Sequence, residues 1–449
     1  MAAALDSSPL PPGVRRIRLV RPVQRFIRTE AAGGILLLVG AIIALIWVNS
    51  PFSHEYHELF EYHLGFDVGF YSVDEPLHFW INDAAMVIFF FLVGMEIKRE
   101  MVVGELASAR RMVVPAAAAL GGMVVPVAIF FALVSGSDAR DGWAIPMATD
   151  IAFAVGVLVL VGSRIPTGLK VLLLAMAIVD DLGAIAVIAI FYTDTIDLNA
   201  LGIVAGLLGL VYALNRAGMW YVPIYFIIGG FAWMAMLQSG VHTTIVGVLL
   251  GLMTPWRSWH RPEDFPAIAE SVLNRLRPHT DETGAELARE ERIEALLEVA
   301  EVGRNAVSPL DRLEHALQQP VAFVIVPIFA LANAGVELSP NILGDVFSSS
   351  LTWGVTLGLV LGKPIGVTLG VWIAVRAGAR LPLGVDWGQV IGMSFLGGIG
   401  FTVSLFVTEL SFESEALLTD AKVGILLAST IAGVVGYLLL RAVTRPARS

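Results

Sequence analysis

Apolar residues fall along this chain in runs of roughly twenty, the length a helix needs to cross the hydrocarbon layer of a bilayer, and short polar loops divide the runs. Read with a window of about nineteen residues, such runs centre near Leu38, Val87, Gly121, Ile151, Asp180, Leu207, Ile227, Val246, Ile328, Val360, Leu396 and Ala432. The pattern predicts about twelve transmembrane helices. Lysine and arginine gather on the cytoplasmic side of membrane proteins, so the loops give an independent check. "RRIRLVRPVQRFIR", "KREMVVGELASARR", "GSRIPTGLK", "LNRAG", "RAGAR" and the tail "RAVTRPARS" are basic and alternate with acidic or near-neutral loops such as "SGSDARDG", "YTDTIDLN" and "TELSFESEALLTD". Both termini are therefore expected on the cytoplasmic side of a multi-pass protein. The first run, "GGILLLVGAIIALIWV", is followed by no small-x-small cleavage site and reads as a retained span.

Two loops carry patterns of their own. Around Asp67 and Gly69, "LGFDVGFYSVDEPL" alternates roughly with period two, which predicts an external hairpin. The stretch 256–319 is strongly polar and reads as a cytoplasmic loop. Within it Thr283 and Glu286 form a capping box, and Leu287, Ile293, Leu297 and Ala300 form an apolar stripe. The loop is either a surface helix or a partly disordered insert. The chain is otherwise one integral membrane unit over 1–449, opened by a basic cytoplasmic segment, 1–30.

Composition removes the soluble classes: 56% of the 449 residues are hydrophobic and 15% charged, far from the balance of a soluble domain. The net charge of -10 says little about partners when the charges sit in loops on two sides of a membrane. The partner it implies is the lipid bilayer, with no nucleic acid. The absence of cysteine removes disulfides and thiolate metal sites.

What the pattern does not explain is "AMAIVDDLGAIAVIAI", where Asp180 and Asp181 stand together mid-span. An ionisable group there costs roughly 3 kcal/mol on insertion scales, so its retention points to an ion or proton site. Neighbouring helix positions differ by about 100°. One carboxyl can therefore face a partner helix while the other faces a watery path. Loss of water favours the neutral acid and a nearby cation favours the anion, so such a group can trade a proton for a metal cation. Thr149 and Asp150 follow Pro146 in "AIPMATDIAFAVGVLVL", and Lys363 precedes Pro364 deep in "TLGLVLGKPIGVTLGVWIAV". Lys363 is a buried counter-charge or, failing that, a snorkelling anchor. "FLGGIGFTVSLFV" brings Gly397, Gly398 and Gly400 into another span, where the helix is prone to unwind. Paired interruptions in two halves point to an inverted-repeat transporter with a midplane site.

These segments resemble the NhaA sodium/proton antiporters from about Gln24 to the end of the last span. The resemblance is carried by "WINDAAMVIFFFLVGMEIKRE", "PMATDIAFAVGVL", "AIVDDLGAI", "SGVHTTIVGVLLG", "RLEHALQQPVAFVIVPIFALANAGV", "GKPIG" and "GGIGFTVSLF". It implies an all-α fold of twelve transmembrane helices in which helices four and eleven are discontinuous and cross. It further implies that Asp180, Asp181 and Thr149 bind Na+ and that the two acids exchange protons. Lys363 would pair with the acids, and Thr149 and Asp150 would support the crossing. The activity implied is electrogenic expulsion of Na+, with Li+ as a second cargo, in exchange for protons, serving pH and sodium homeostasis. No cofactor is implied beyond the transported ions. A homodimer in the bacterial inner membrane is implied, paired through the Asp67 hairpin. The resemblance also places a pH-responsive funnel at the cytoplasmic ends: Glu96, Lys98, Arg99, Glu100, His242, Glu314 and His315. The chain departs from the family pattern at Asp311 and Gln318, where basic or histidine residues are expected.

Two other functions use similar residues. An intramembrane aspartyl protease needs two acids on different helices, yet "GGIGFT" lacks the aspartate of the GxGD signature, so no enzyme is expected. A proton-coupled carrier of another cationic substrate would need the same acids in a roomier, aromatic-lined site.

Overall fold

The computed structural model describes residues 22–67, 72–162, 164–193, 196–219, 221–258 and 306–444, with a few positions between 270 and 303; the side chains of 22–31 and 340–343 are not among them. The described residues are helical almost throughout. Among the described residues seven helices are long and apolar enough to cross a membrane, bent pairs raise the number to ten, and two shorter apolar helices follow one another at 222–237 and 244–253. Each of the twelve apolar runs falls on one of these elements. In chain order they are α1 (Pro22–Val48), α2 (Leu77–Val102), α3 (Ala109–Leu133), α4 in two halves (α4a, Asp138–Met147; α4b, Ile151–Val161), α5 (Thr167–Phe191) and α6 (Leu198–Arg216). Then come α7 (Val222–Leu237), α8 (Thr244–Met253), α9 (Pro309–Asn333), α10 (Ser350–Arg376), α11 in two halves (α11a, Trp387–Leu396; α11b, Phe401–Ser411) and α12 (Glu415–Val443).

Between α1 and α2 the chain forms the expected hairpin. Strands β1 (His63–Asp67) and β2 (Ser72–Pro76) pair antiparallel, His63 opposite Pro76, and the turn at 68–71, with Gly69, lies outside the described residues. Several stretches read as loops are helical instead. Ser53–Glu61 and Pro340–Ser348 form short helices, and α4a takes up most of "SGSDARDG". The polar stretch 256–319 ends as helix, because Ser308 caps α9, its hydroxyl accepting the Asp311 N–H at 3.1 Å, with Pro309 as the first helical residue. Thr283, Glu286 and Leu287 lie outside the described residues, while Ile293 and Leu297 are helical and exposed.

α3–α4–α5 and α10–α11–α12 repeat one plan: long helix, broken helix, long helix. The two triplets run in opposite directions. Gly121 packs on Gly366, Ala117 on Gly370 and Pro126 on Gly362, so the residue numbers rise along α3 as they fall along α10. A Cβ on Gly366 would strike the Gly121 carbonyl oxygen, and one on Gly121 would strike the Gly366 oxygen. Small residues here let two backbones approach as membrane helices do when packing rather than water drives association. Large apolar side chains face outward on the periphery, Ile46, Leu160, Ile190 and Leu198 among them, as suits faces turned to acyl chains.

This closest contact of the two repeats yields a stability prediction. Gly366→Val forces the backbones of α3 and α10 apart and should cost roughly 1–3 kcal/mol, the usual range for overpacking. Thermal unfolding in detergent should show a lower Tm. An unchanged Tm would mean that the two helices are not held as closely as described.

Candidate functional site

Both broken helices part at the same place. α4 bends by 42° between Met147 and Ile151, and α11 by 44° between Leu396 and Phe401. In α4 the segment before the break is a tight 3-10 turn containing Pro146, and Ala148 and Asp150 then take extended backbone. In α11 the glycines 397, 398 and 400 hold the break. The breaks join directly, since the Asp150 N–H donates to the Ile399 carbonyl oxygen at 2.6 Å. The Ser404 hydroxyl donates to the Ile145 carbonyl oxygen at 2.8 Å.

A broken helix leaves backbone groups unpaired and brings partial charges to mid-membrane. Asp150 meets them on one side. Its Oδ1 accepts the Phe153 N–H at 2.9 Å, capping α4b, and its Oδ2 accepts the Thr402 N–H at 3.1 Å and hydroxyl at 2.6 Å, at the start of α11b. One buried carboxylate thus serves the positive ends of two half-helices. Lys363, fully buried at 0% exposure, answers on the other side. Its Nζ donates to Asp180 Oδ2 at 2.8 Å and to the Thr149 hydroxyl at 2.9 Å. That hydroxyl also lies 2.9 Å from both Asp180 Oδ2 and the Gly397 carbonyl oxygen, with its proton available to one of them. Lys363 is therefore a counter-charge, and the snorkelling alternative is excluded.

The adjacent aspartates part as their helical spacing requires. Asp180 turns into the Lys363–Thr149 contact, and its Oδ1 is buried without a hydrogen-bond partner among the described residues. Asp181 faces a small cavity of about 50 Å³ that it lines with Asp150, Thr149, Thr402, Glu96 and Gln318. A larger cavity of about 230 Å³ between α2, α7 and α8 has no carboxylate or basic residue in its lining.

The residues expected in a pH-responsive funnel do not all meet. Glu96 lines the cavity, and Arg99 of α2 pairs with Glu314 of α9. The Glu100 carboxylate accepts the Glu105 N–H at 2.9 Å, and His315 is exposed. Lys98 is half-buried on the same turn of α2. His242 stands apart, a correction to its expected place. It contacts Thr244 at 2.7 Å and packs edge-on against Phe406, while its neighbour Thr243 bonds Asp83, thirteen residues before Glu96 on α2. At 1.5 Å per residue that is roughly 20 Å along the helix. The short link between α7 and α8 and the Thr243–Asp83 contact place His242 on the hairpin side of the crossing.

The match to the Na+/H+ antiporter 1 family runs over residues 24–440 and includes every residue of the site. The chain belongs to that family. It is 45% identical to Na(+)/H(+) antiporter NhaA 2 of Sorangium cellulosum, over 98% of this chain and 95% of the relative. It is also 45% identical to Na(+)/H(+) antiporter NhaA of Oleidesulfovibrio alaskensis, over 95% of each. A solved sodium proton antiporter, MjNhaP1 from Methanocaldococcus jannaschii, is similar at 17% identity and a TM-score of 0.44, covering 94% of this chain and 98% of that one, too loose a likeness to bear on the site. This antiporter is a multi-pass membrane transporter.

Thr402 escapes a reading of the sequence. Its only signal is a hydroxyl two residues beyond Gly400 in an apolar run, and its value lies in meeting a carboxylate 252 residues away. Asp83 escapes too, since one acid in "WINDAAM" reads as a span end, whereas it is buried against Thr243.

Lys363→Ala should leave Asp180 without its cation in a dry site, and breaking a buried pair typically costs roughly 3–5 kcal/mol. Both the Tm and sodium-dependent proton flux should fall. A variant that melts and transports like the parent would contradict the pairing.

Proposed function

We propose that the antiporter exchanges Na+ for protons at Asp181 and Asp180, with Thr149 and the Gly397 carbonyl completing an oxygen-rich site. The observation that carries this reading is the split of the two acids: one locked to Lys363, the next in sequence open to the cavity. Sodium is a hard cation and takes oxygen ligands. Carboxylates supply them only when deprotonated, so a bound proton and a bound sodium exclude each other. Sodium arriving at Asp181 also draws Asp180 away from Lys363, because the free Oδ1 of Asp180 gives it a second charged ligand. Li+ has the same charge and the same preference for oxygen. Asp181 takes one proton, and the Asp180–Lys363 pair, once Na+ has parted it, takes the second as it closes again; two protons for one Na+ make the exchange electrogenic and suit the export of Na+ against its gradient.

The basic loops support cytoplasmic termini in a bacterial inner membrane. In that orientation the cavity, Glu96, Gln318 and the Arg99–Glu314 pair lie toward the cytoplasm, where Lys98, Glu100 and His315 belong to the same charged entrance. The hairpin then faces outward. β1 is exposed along its whole length, so its open edge suits pairing with a second copy in a homodimer. A proton-coupled carrier of an organic cation is disfavoured by the space at Asp181, about 50 Å³.

Asp181→Asn keeps the shape but can neither release a proton nor balance the cation's charge. Sodium-dependent proton flux in everted vesicles should drop to background, with Asp180→Asn nearly as severe. Near-normal exchange by Asp181→Asn at matched protein level would move the site elsewhere.

A further inference from the structure

α11b carries more than the crossing. Thr402, Phe406 and Glu409 are spaced i, i+4 and i+7, so they share one face of the helix. Thr402 touches Asp150. One turn farther toward the hairpin side, Phe406 is buried and packs against Phe90 of α2 at 5.2 Å between ring centroids, His242 at 5.3 Å and Phe329 of α9 at 6.4 Å. Three elements thus close on one ring. Beyond the ring the surroundings turn charged. Glu409 meets Lys422 of α12 at 2.7 Å and His78 of α2 at 3.9 Å. His78 in turn contacts Asn333 of α9 at 3.1 Å. Glu409 and Lys422 are mostly covered, and His78 is the more open at 34% side-chain exposure.

Along roughly 10 Å of helix the face therefore passes from the ion site, through a ring closed by aromatics, to a cluster of charged groups. A hydrated cation cannot pass close-packed rings, and a carboxylate just beyond them attracts one.

We propose that Phe406 is the outer gate of the ion path and that Glu409 is the group that receives cations on its outer side. The inference rests on the exchange reading and the orientation given above. Gating by one ring needs only a small rotation of α11b, which the glycine break beside it permits. The same rotation would disturb Thr402 and Asp150, so opening the gate is linked to the crossing. Lys422, 2.7 Å from Glu409, shares that carboxylate and so keeps an arriving cation from settling there.

The chain contains no cysteine, so a single reporter can be read without background. Val403 lines the cavity on the inner side of Phe406. In a Val403→Cys background, a membrane-impermeant thiol reagent applied from outside should react slowly, and Phe406→Ala should speed it at least tenfold. Phe406→Leu, which keeps most of the bulk, should stay slow, and labelling from the inner side should be unchanged in both. External labelling that stays at the parent rate, rises equally with Phe406→Leu, or changes only together with inner labelling would overturn the gate. Labelling needs no transported ion, so it judges the gate separately from the exchange site. For Glu409, Glu409→Gln should raise the external Na+ needed for half-maximal Na+ entry several-fold while leaving the internal requirement unchanged, and Glu409→Asp should restore it. An equal shift on both sides, or none, would remove Glu409 from the outer path.

Discussion

Two helices cannot break at mid-membrane unless their ends find partners in the protein, and the rest of this structure follows from how that is achieved. Asp150 accepts N–H groups from the first turns of α4b and α11b together. Remove it and two half-helix ends face each other with like partial charge in a dry interior. Opposite it, Lys363 stands beside the break with Thr149 and Asp180. Each break uses the other as its partner, through the Asp150–Ile399 and Ser404–Ile145 bonds. The inverted triplets and the glycine contact of α3 with α10 bring the two breaks to one level.

Because the compensation is electrostatic, the site is sensitive to charge. Asp180 and Lys363 form a closed pair, whereas Asp181 is one residue on and faces space. On the proposed reading, a cation entering that space adds charge beside the Asp180–Lys363 pair. Protons leave as it enters. On that reading, competition between sodium and protons is a consequence of holding the crossing together, not a separate device added to it.

Much of this was legible in the sequence because the bilayer makes each charge expensive. Asp180, Asp181, Asp150 and Lys363 stand out from apolar runs, and Pro146 and the glycines 397–400 mark where the helices weaken. The 100° step between neighbours foretold that the two aspartates would diverge. Less legible were groups whose meaning depends on distant partners. Thr402 and Asp83 look ordinary until Asp150 and Thr243 meet them. Glu409 reads as part of an acidic loop, yet α11b continues through it to Ser411. His242 was misplaced because a local motif at a span end does not say which end. The polar loops hid helices at Ser53–Glu61 and Pro340–Ser348 for a related reason: short amphipathic helices lack the long apolar run that marks a span.

The most direct test of shared occupancy is calorimetric titration of Na+ into the purified protein across a pH series, in buffers of different ionisation enthalpy. If the carboxyl groups of Asp180 and Asp181 hold either ion, sodium binding releases protons, the observed heat depends on the buffer, and apparent affinity weakens as pH falls. Sodium binding with the same affinity at every pH and no dependence on the buffer would contradict the account.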